Sequence, residues 1–294
     1  MTLQSSGSIS YSQIAGEFGK SSGNRLGAYR VSENIGALSN MPLDTGIPRS
    51  GSISFSDFYG KQLNVVVNFY SGGTESRVTA RTRYNNNNVR VIGGFRGRPS
   101  RSSNIRAIIH INKTIHSQKG GRNTVAIRTG GWDGSTNLDI INNGGIYGSG
   151  GDGGYYGSRS RAPSRGSDGT SGLGIEYPAE LWNYGTIYGG GGGGGGGSGS
   201  SSSSRRRRWW GRRKRRRRRR IGGDGGGGSG IPGGSRSQNR NGGAGGGFGS
   251  NGGSGSAGGG SHGYAIIISG SGSGTSVQRT GTQAGGTCNG CGVG

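Results

Sequence analysis

Apolar and polar residues alternate most clearly between residues 64 and 141. Segments rich in β-branched residues recur there, separated by turns rich in glycine and asparagine. The predicted strands cover residues 65–70, 77–84, 89–92, 105–116, 124–129 and 138–141. Short strands at roughly 8–12-residue spacing are typical of an antiparallel sandwich or barrel. We therefore expect a mainly β chain with an antiparallel β-sandwich over residues 64–141.

Residues 1–63 form a loop-rich region in which one pattern occurs twice. Ser-Gly-Ser-Ile-Ser-aromatic-Ser is found over residues 6–12 and again over residues 50–56. Ser12 and Ser56 are placed to cap short helical turns. The region has too few apolar residues for a core of its own, so we expect it to dock on another surface. The candidate docking residues are Ile9, Tyr11, Ile14, Ile53, Phe55 and Phe58.

Residues 142–294 are rich in glycine and contain a second repeat. The pattern Asn-x-Gly-x-Ile-Tyr-Gly occurs over residues 142–148 and 183–189, and nine consecutive glycines occupy residues 189–197. We expect the Ile-Tyr pairs to pack at the entrance to the glycine-rich part, and Asn142 and Asn183 to bond to neighbouring backbone. This repeat is a specific pattern and not only a bias of composition, and the strand-like segment 264–268 that closes the region is one that a linker does not need.

Two interpretations of the glycine-rich part remain open. Gly/Ser-rich segments are typical of flexible linkers. Alternatively, glycine adopts extended helices of the polyproline-II type, which lie side by side because they carry no side chains. The specific repeat and the strand-like residues 264–268 favour the ordered interpretation. We therefore expect a glycine-rich bundle of polyglycine or polyproline-II-type helices over residues 142–294.

The charge is concentrated in one segment. The chain has 294 residues, 74 glycines and a formal net charge of +24. Residues 205–220 read RRRRWWGRRKRRRRRR, so 13 of these 16 residues are basic. Because so many like charges are not buried without anions, an arginine-rich loop over residues 198–221 is expected to face solvent or a polyanion. Trp209 and Trp210 add aromatic surfaces that stack on sugars or bases.

The glycine runs after Asn-x-Gly-x-Ile-Tyr-Gly resemble the glycine-rich adhesins at the tail-fibre tips of T-even-type bacteriophages. The Ser-Gly-Ser-Ile-Ser-Tyr-Ser pattern is similar to the N-termini of tail and fibre proteins of tailed phages, including marine ones. This resemblance covers residues 1–60 and 138–294 and implies a virion protein of the tail, present in multiple copies and attached to other tail or fibre proteins. It further implies that loops joining the glycine helices contact the host receptor. The arginine segment departs from the family's pattern.

We expect the candidate receptor site to bind an acidic glycan of the host surface. Its residues are Arg205, Arg206, Arg207, Arg208, Trp209, Trp210, Arg212, Arg213, Lys214, Arg215, Tyr155 and Tyr156. Alternatives are a solvated charge run or a contact to a neighbouring virion subunit. At the level of function, the rivals are a nucleic-acid-binding Arg/Gly-rich protein and a purely structural decoration or collar protein.

Nothing in the sequence indicates catalysis, a cofactor or a membrane span. No nucleophile motif or phosphate-binding loop is present, and no stretch approaches the ~20 apolar residues of a membrane helix. Cys288 and Cys291 have the spacing of one half of a zinc site, but no second pair of ligands accompanies them. We therefore expect a non-enzymatic protein, and leave open whether the two cysteines are bonded.

Overall fold

The fold is that of a computed structural model. It describes residues 3–19, 25–69, 75–76, 78–85, 89–99, 105–134, 136–158, 160–198, 224, 226–236, 238, 241–279, 281–291 and 293. Strands predominate over helices among these residues, which confirms the prediction of a mainly β chain.

The described elements are mostly short. The α-helices are α1 (Tyr11–Phe18) and α2 (Ala80–Asn85), and the 3₁₀ helices are Leu26–Tyr29, Phe55–Phe58 and Gly270–Gly272. The strands are β1 (Glu33–Ile35), β2 (Leu38–Met41), β3 (Asn64–Phe69), β4 (Glu75–Ser76), β5 (Val78–Thr79), β6 (Val89–Val91), β7 (Arg106–Ile111), β8 (Thr114–His116), β9 (Val125–Arg128), β10 (Asn137–Asn142), β11 (Gly145–Tyr147), β12 (Ser171–Ile175), β13 (Glu180–Asn183), β14 (Thr186–Tyr188), β15 (Ile266–Ile268), β16 (Ser276–Arg279), β17 (Thr282–Ala284) and β18 (Thr287–Asn289).

The chain passes repeatedly through three sheets in the same order, contributing one strand to each. These three sheets have the strand orders β16-β13-β10-β7-β3-β6, β17-β14-β11-β8-β4 and β18-β15-β12-β9-β5, and β1 and β2 form a separate antiparallel pair. Pairing in these sheets is parallel, except that β6 joins β3 antiparallel. The first coil is therefore β3-β4-β5 and the fifth is β16-β17-β18, and the architecture is a three-sided parallel β-solenoid.

The prediction of an antiparallel β-sandwich is wrong for a specific reason. Alternation of apolar and polar residues has a period of two in any half-buried strand, whichever way its neighbours run. The predicted strand over residues 105–116 is also two strands, because Asn112 and Lys113 turn the corner between β7 and β8. Residues 80–85 form α2 rather than strand, and Tyr84 on that helix is buried with its hydroxyl donating to Pro99 O at 2.8 Å.

Aliphatic side chains at equivalent positions of successive coils stack into columns, and these columns form the solenoid core. The register partners are Val67, Ile109, Ile140, Leu181 and Val277 in the first sheet, Ile115, Ile146, Ile187 and Gln283 in the second, and Val78, Ile127, Leu173, Ile266 and Thr287 in the third. Each fully buried aliphatic side chain contributes about 1.5–3 kcal/mol. Gln283 and Thr287 end two columns with polar residues in the fifth coil, where no further described coil covers them.

The N-terminal region packs against the first coil. Ser10 caps α1 and Ser54 caps the helix Phe55–Phe58, each through a capping box, so the predicted caps Ser12 and Ser56 are wrong. The region shares one continuous core with the strands, so the surface on which it docks within this chain is the solenoid itself. Leu63 N donates to Glu17 Oε1 at 2.8 Å, and Arg106 lies 3.6 Å from Asp44.

The two copies of Asn-x-Gly-x-Ile-Tyr-Gly are the same corner of successive coils. Tyr147 pairs with Tyr188 between β11 and β14, and their ring centroids are 5.7 Å apart. Asn142 Nδ2 donates to Asn183 Oδ1 at 2.7 Å, and Asn142 Oδ1 accepts from Gly144 N. The expected packing of the tyrosines is confirmed, and Asn142 bonds to both backbone and side chain.

Both glycine-rich segments are insertions at one corner of the solenoid. Residues 148–170 lie between β11 and β12, and residues 189–265 lie between β14 and β15. We call them the glycine insertions. Strands β11 to β18 continue the sheets past residue 142, so the region predicted as glycine-rich also contains the last two coils of the solenoid and two strands of the third.

Hydrogen bonds of the nine-glycine run repeat every three residues. The amides of residues 190, 193 and 196 donate to segment 164–170, those of 191 and 194 to segment 226–229, and those of 192 and 195 to segment 250–253. Their carbonyls accept with the same period from segments 151–157, 243–246 and 256–263. The run is therefore surrounded by six described segments, which bond to the amides of residues 190–196 and to the carbonyls of residues 190–197.

Glycine is required in this run because the neighbouring backbones leave no space for a side chain. A Cβ at Gly193 would lie 2.0 Å from Asp152 O, and at each position from Gly189 to Gly197 it would lie within 2.3 Å of another backbone oxygen. At Gly258, in contrast, nothing lies within 4 Å of the same atom.

We predict that Gly193→Ala destabilises the protein by about 1–3 kcal/mol or more, because the backbones must move apart. Gly258→Ala is the matched control and should change stability by no more than about 0.5 kcal/mol. Denaturant unfolding measures both. Equal stabilities of the two variants would contradict the close packing of the run.

A second prediction concerns His110, which is buried in β7. Burial lowers the pKa of His110 from 6.5 to about 4. The unfolded chain takes up a proton below pH 6.5 that the folded chain does not accept until about pH 4, so stability falls as pH decreases through this window. Between pH 7 and pH 4, this group should lower the free energy of unfolding of the wild type by about 3 kcal/mol, and His110→Leu should not show that loss. Unfolding at pH 7 and pH 4 tests this, and parallel pH profiles would contradict it.

Candidate functional site

The glycine insertions carry a group of loops at their end away from the sheets. Gly157 pairs with Ser198, Ser198 Oγ lies 2.8 Å from Ser256 Oγ, and Tyr156 N donates to Asp224 Oδ1 at 2.8 Å. We define the distal loops as the described residues of 155–164, 236–242 and 253–257, together with Ser198 and Asp224. Segments far apart in sequence therefore meet at one end of the glycine insertions.

Tyr155 is the centre of a cationic cluster in the distal loops. The guanidinium carbon of Arg236 lies 3.4 Å from the ring centroid of Tyr155, and that of Arg161 lies 4.4 Å from it. Arg236 Nη1 also donates to Gly153 O at 2.9 Å, and Tyr155 N donates to Ser164 Oγ at 2.7 Å. These contacts hold two positive charges over one aromatic ring.

The cluster is accessible and carries a net positive charge. Tyr155 is 43% exposed and Tyr156 is 41% exposed. Among the described residues, no salt bridge joins Arg161 or Arg236 to a carboxylate. Exposed aromatic rings beside guanidinium groups are suited to stack on sugar rings and to bond to carboxylates or phosphates.

The described residues nearest to the arginine-rich segment in the sequence, Ser198 and Asp224, lie in the distal loops. Ser198 and Asp224, the described residues that flank it, both bond to residues of the 155–157 loop or its neighbours. The predicted site residues Arg205, Arg206, Arg207, Arg208, Trp209, Trp210, Arg212, Arg213, Lys214 and Arg215 lie outside the described residues. Asp224 thus bonds to the backbone of Tyr156, and Ser198 pairs with Gly157, the next residue of the same loop.

Phe248, Arg165 and His262, which lie in the glycine insertions, contact neighbouring protein groups outside the distal loops. The Phe248 ring packs 5.1 Å from Tyr188 at the end near the sheets. Arg165 bonds to Asp168 and to Gly259 O along the side of the insertions. His262 Nδ1 lies 2.7 Å from Asn251 Oδ1, and burial, together with the charge of Arg122, lowers the pKa of His262.

Comparison with protein families identifies the chain. The family model described as "Phage tail fibre adhesin Gp38" matches residues 74–288, which is well over half of the sequence. The chain belongs to the Gp38 family of phage tail fibre adhesins. No curated protein matches it.

One solved structure is similar to this adhesin. It is the crystal structure of the gp37-gp38 adhesin tip complex of the bacteriophage S16 long tail fiber, with 20% identity over 82% of this chain and 89% of that chain, and a TM-score of 0.39.

Membership of the Gp38 family confirms three predictions from the sequence. The protein is a tail-fibre adhesin, its place is the virion tail, and its role is structural and adhesive rather than enzymatic. Among the residues that the structure describes, no helix is long and apolar enough for a membrane span, and no cluster of His, Cys, Asp and Glu is suited to a metal.

The predicted docking residues of the adhesin divide by burial. Ile14 and Phe58 are fully buried, and Ile9, Tyr11 and Ile53 are half-buried against the core. Phe55 is 42% exposed and begins the 3₁₀ helix that Ser54 caps. Phe55 is thus the member of this set with the largest surface available to a partner.

Cys288 and Cys291, whose state the sequence left open, form a disulfide in the fifth coil. Cys288 lies on β18, where it is the register partner of Ile267 on β15. The pair therefore closes the turn that follows the last described strand.

Sequence reasoning missed Arg236 and Asp224 as members of the distal site. Tyr156 and Asp224 are separated by 68 residues, and no motif joins Arg236 to the tyrosines. The signal that was present is the glycine run between them, since segments that pack side by side bring their connecting loops to shared ends.

Proposed function

We propose that the adhesin binds an acidic glycan of the host surface through its distal loops. The observation that carries this proposal is the exposed Tyr155 with Arg161 and Arg236 over its ring. Carboxylates or phosphates of a glycan accept forked hydrogen bonds from guanidinium groups, and sugar rings stack on tyrosine. A tail-fibre adhesin has its task at the host surface, which agrees with this chemistry.

The arginine-rich segment extends this proposed surface. Its basic residues and Trp209 and Trp210 have the same combination of cation and aromatic ring as the Tyr155 cluster. Support for a common site comes from its flanking residues, since Ser198 and Asp224 contact the 155–157 loop. The arginines would bring an acidic glycan close, and the tyrosines would contact it.

We further propose that the glycine insertions form a bundle of polyglycine helices of the polyproline-II type. The three-residue period of the hydrogen bonds supports this, because that helix has three residues per turn. At about 3.1 Å per residue, a run of this length would separate the distal loops from the solenoid by nearly 30 Å.

The N-terminal residues 1–63 are proposed to dock the adhesin on another tail or fibre protein, with multiple copies in each particle. Phe55 supports a contact of this kind, since it is exposed while its neighbours Ile53 and Phe58 anchor the backbone. In this proposal the solenoid over residues 64–141 and its later coils is the spacer between virion and distal loops.

We predict that Tyr156→Ser lowers adsorption of particles to host cells by about tenfold or more, because an exposed aromatic contact beside the Tyr155 cluster is lost. Serine in place of the thirteen basic residues of 205–220 should lower adsorption further and reduce its salt dependence. Tyr184→Ser is the matched control, since Tyr184 is 55% exposed on the corner after β13 rather than in the distal loops.

Outcomes of this adsorption experiment separate the rival functions. Competition by acidic glycans supports the proposal, whereas competition by nucleic acid alone, with a steep salt dependence, supports nucleic-acid binding. Particles that fail to assemble without the arginines would support a structural decoration role. Equal adsorption of the Tyr156 and Tyr184 variants would contradict the distal site.

For the N-terminal region, we predict that Phe55→Ser reduces incorporation of the adhesin into particles by about tenfold, because an interface anchor is lost. Stability should change by less than about 0.5 kcal/mol, since the side chain is exposed. Quantitative immunoblotting of purified particles measures incorporation, with Tyr184→Ser as control. Normal incorporation of a folded Phe55→Ser chain would show that docking occurs elsewhere.

A further inference from the structure

A cleft on the side of the solenoid has no part in the proposed adhesion site. It has a volume of about 430 Å³ and is lined by Thr79, Arg81, Thr82, Arg128, Gly130, Gly131 and Glu176. These residues lie at the carboxyl ends of β5, β9 and β12 or directly after them. The glycine insertions join the third sheet at the opposite ends of its strands, so the cleft and the distal loops are separate places.

One wall of the cleft is formed by the ion pair of Arg128 and Glu176. Arg128 Nε and Nη2 donate to the two carboxylate oxygens of Glu176 at 3.0 and 2.5 Å. Gly130 N also donates to Glu176 Oε2, at 3.0 Å. The hydrogen bond from Arg128 to Glu176 raises the pKa of Arg128. Both carboxylate oxygens are therefore occupied, and this wall adds no net charge.

Arg81 provides the unpaired charge of the cleft. Its backbone amide donates to Thr129 O at 3.1 Å, which holds the residue against the 129–131 turn. A Cβ at Gly131 would lie 3.6 Å from Arg81 Nη1, so the guanidinium lies along this glycine turn. No salt bridge joins Arg81 to a carboxylate within the described part of the chain.

The remaining polar groups are suited to a small ligand that accepts hydrogen bonds. Arg81 is a planar fork of donors that matches a carboxylate, and the hydroxyls of Thr79 and Thr82 donate or accept. A cleft of this volume lies within the range of about 300–1,000 Å³ found for ligand sites. Its single uncompensated positive charge favours a monoanion.

We propose that this cleft binds the carboxylate of an acidic sugar, with Arg81 bonding to the carboxylate and Thr79 and Thr82 contacting ring hydroxyls. This site would be a second, lateral saccharide contact, independent of the distal loops. It does not depend on the function proposed for those loops.

Methyl NMR of the full-length chain tests the proposal at the site itself. Carbon-13 methyl labels on threonine give separate signals for Thr79 and Thr82, assigned with Thr79→Ser and Thr82→Ser. Glucuronate, glucose and glucose 6-phosphate are titrated at constant ionic strength. Binding of glucuronate by the arginine-rich segment does not move these two signals, so the readout is specific to the cleft.

Glucuronate should shift both signals in a saturable way, and glucose should not. Arg81→Gln should weaken glucuronate binding by about tenfold or more, since a charge-assisted fork is lost. Arg81→Lys should have an intermediate affinity, because it keeps the charge without the fork. Arg30→Gln, the same change at an exposed position of the N-terminal region, should bind as wild type does.

Several results would overturn the proposal. These are absence of a glucuronate shift at Thr79 and Thr82, equal binding of glucose, or an Arg81→Gln affinity equal to wild type. Binding of glucose 6-phosphate without glucuronate would assign the cleft to phosphate and reject the carboxylate. The signals of buried Thr129 and Thr170 show whether each variant is folded.

Discussion

The glycine-rich backbone segments of this adhesin lie in direct van der Waals contact, with no Cβ atom between them. The structure of its distal half depends on this constraint. A segment surrounded by six others has no room for side chains, as the position of Gly193 beside Asp152 O shows. Ordering glycine is entropically costly. Hydrogen bonds from the run to the segments around it offset that cost.

The glycine segments belong to insertions that leave the solenoid at equivalent corners of successive coils. Because the coils stack in parallel register, equivalent corners of successive coils lie beside one another, and Tyr147 therefore meets Tyr188. Insertions that leave from one corner are adjacent from their first residue. Phe248 packs on the same two tyrosines, so the aromatic cluster joins the aliphatic core to the glycine insertions.

The close packing of the glycine backbones also limits where charged side chains lie. The segments around residues 189–197 leave no space for side chains on that run, and the described basic and aromatic residues of the insertions lie in the loops or along the sides. Where they lie on the sides they bond to the structure, as Arg165 does with Asp168. In the distal loops Arg161 and Arg236 contact Tyr155 and leave their charge to solvent, which is the arrangement expected of a surface that meets a polyanion.

Local composition and repeats in the sequence indicated that the chain is mainly β, favoured ordered rather than flexible glycine runs, and showed the resemblance to a phage adhesin. The direction of strand pairing was decided only by the tertiary structure, because a period of two is common to parallel and antiparallel strands. The coil repeat was hidden, since insertions of very different length separate β11 from β12 and β14 from β15. The meeting of Tyr155 with Arg236, and of Arg81 with the 129–131 turn, likewise depends on packing between distant segments, which no local pattern encodes.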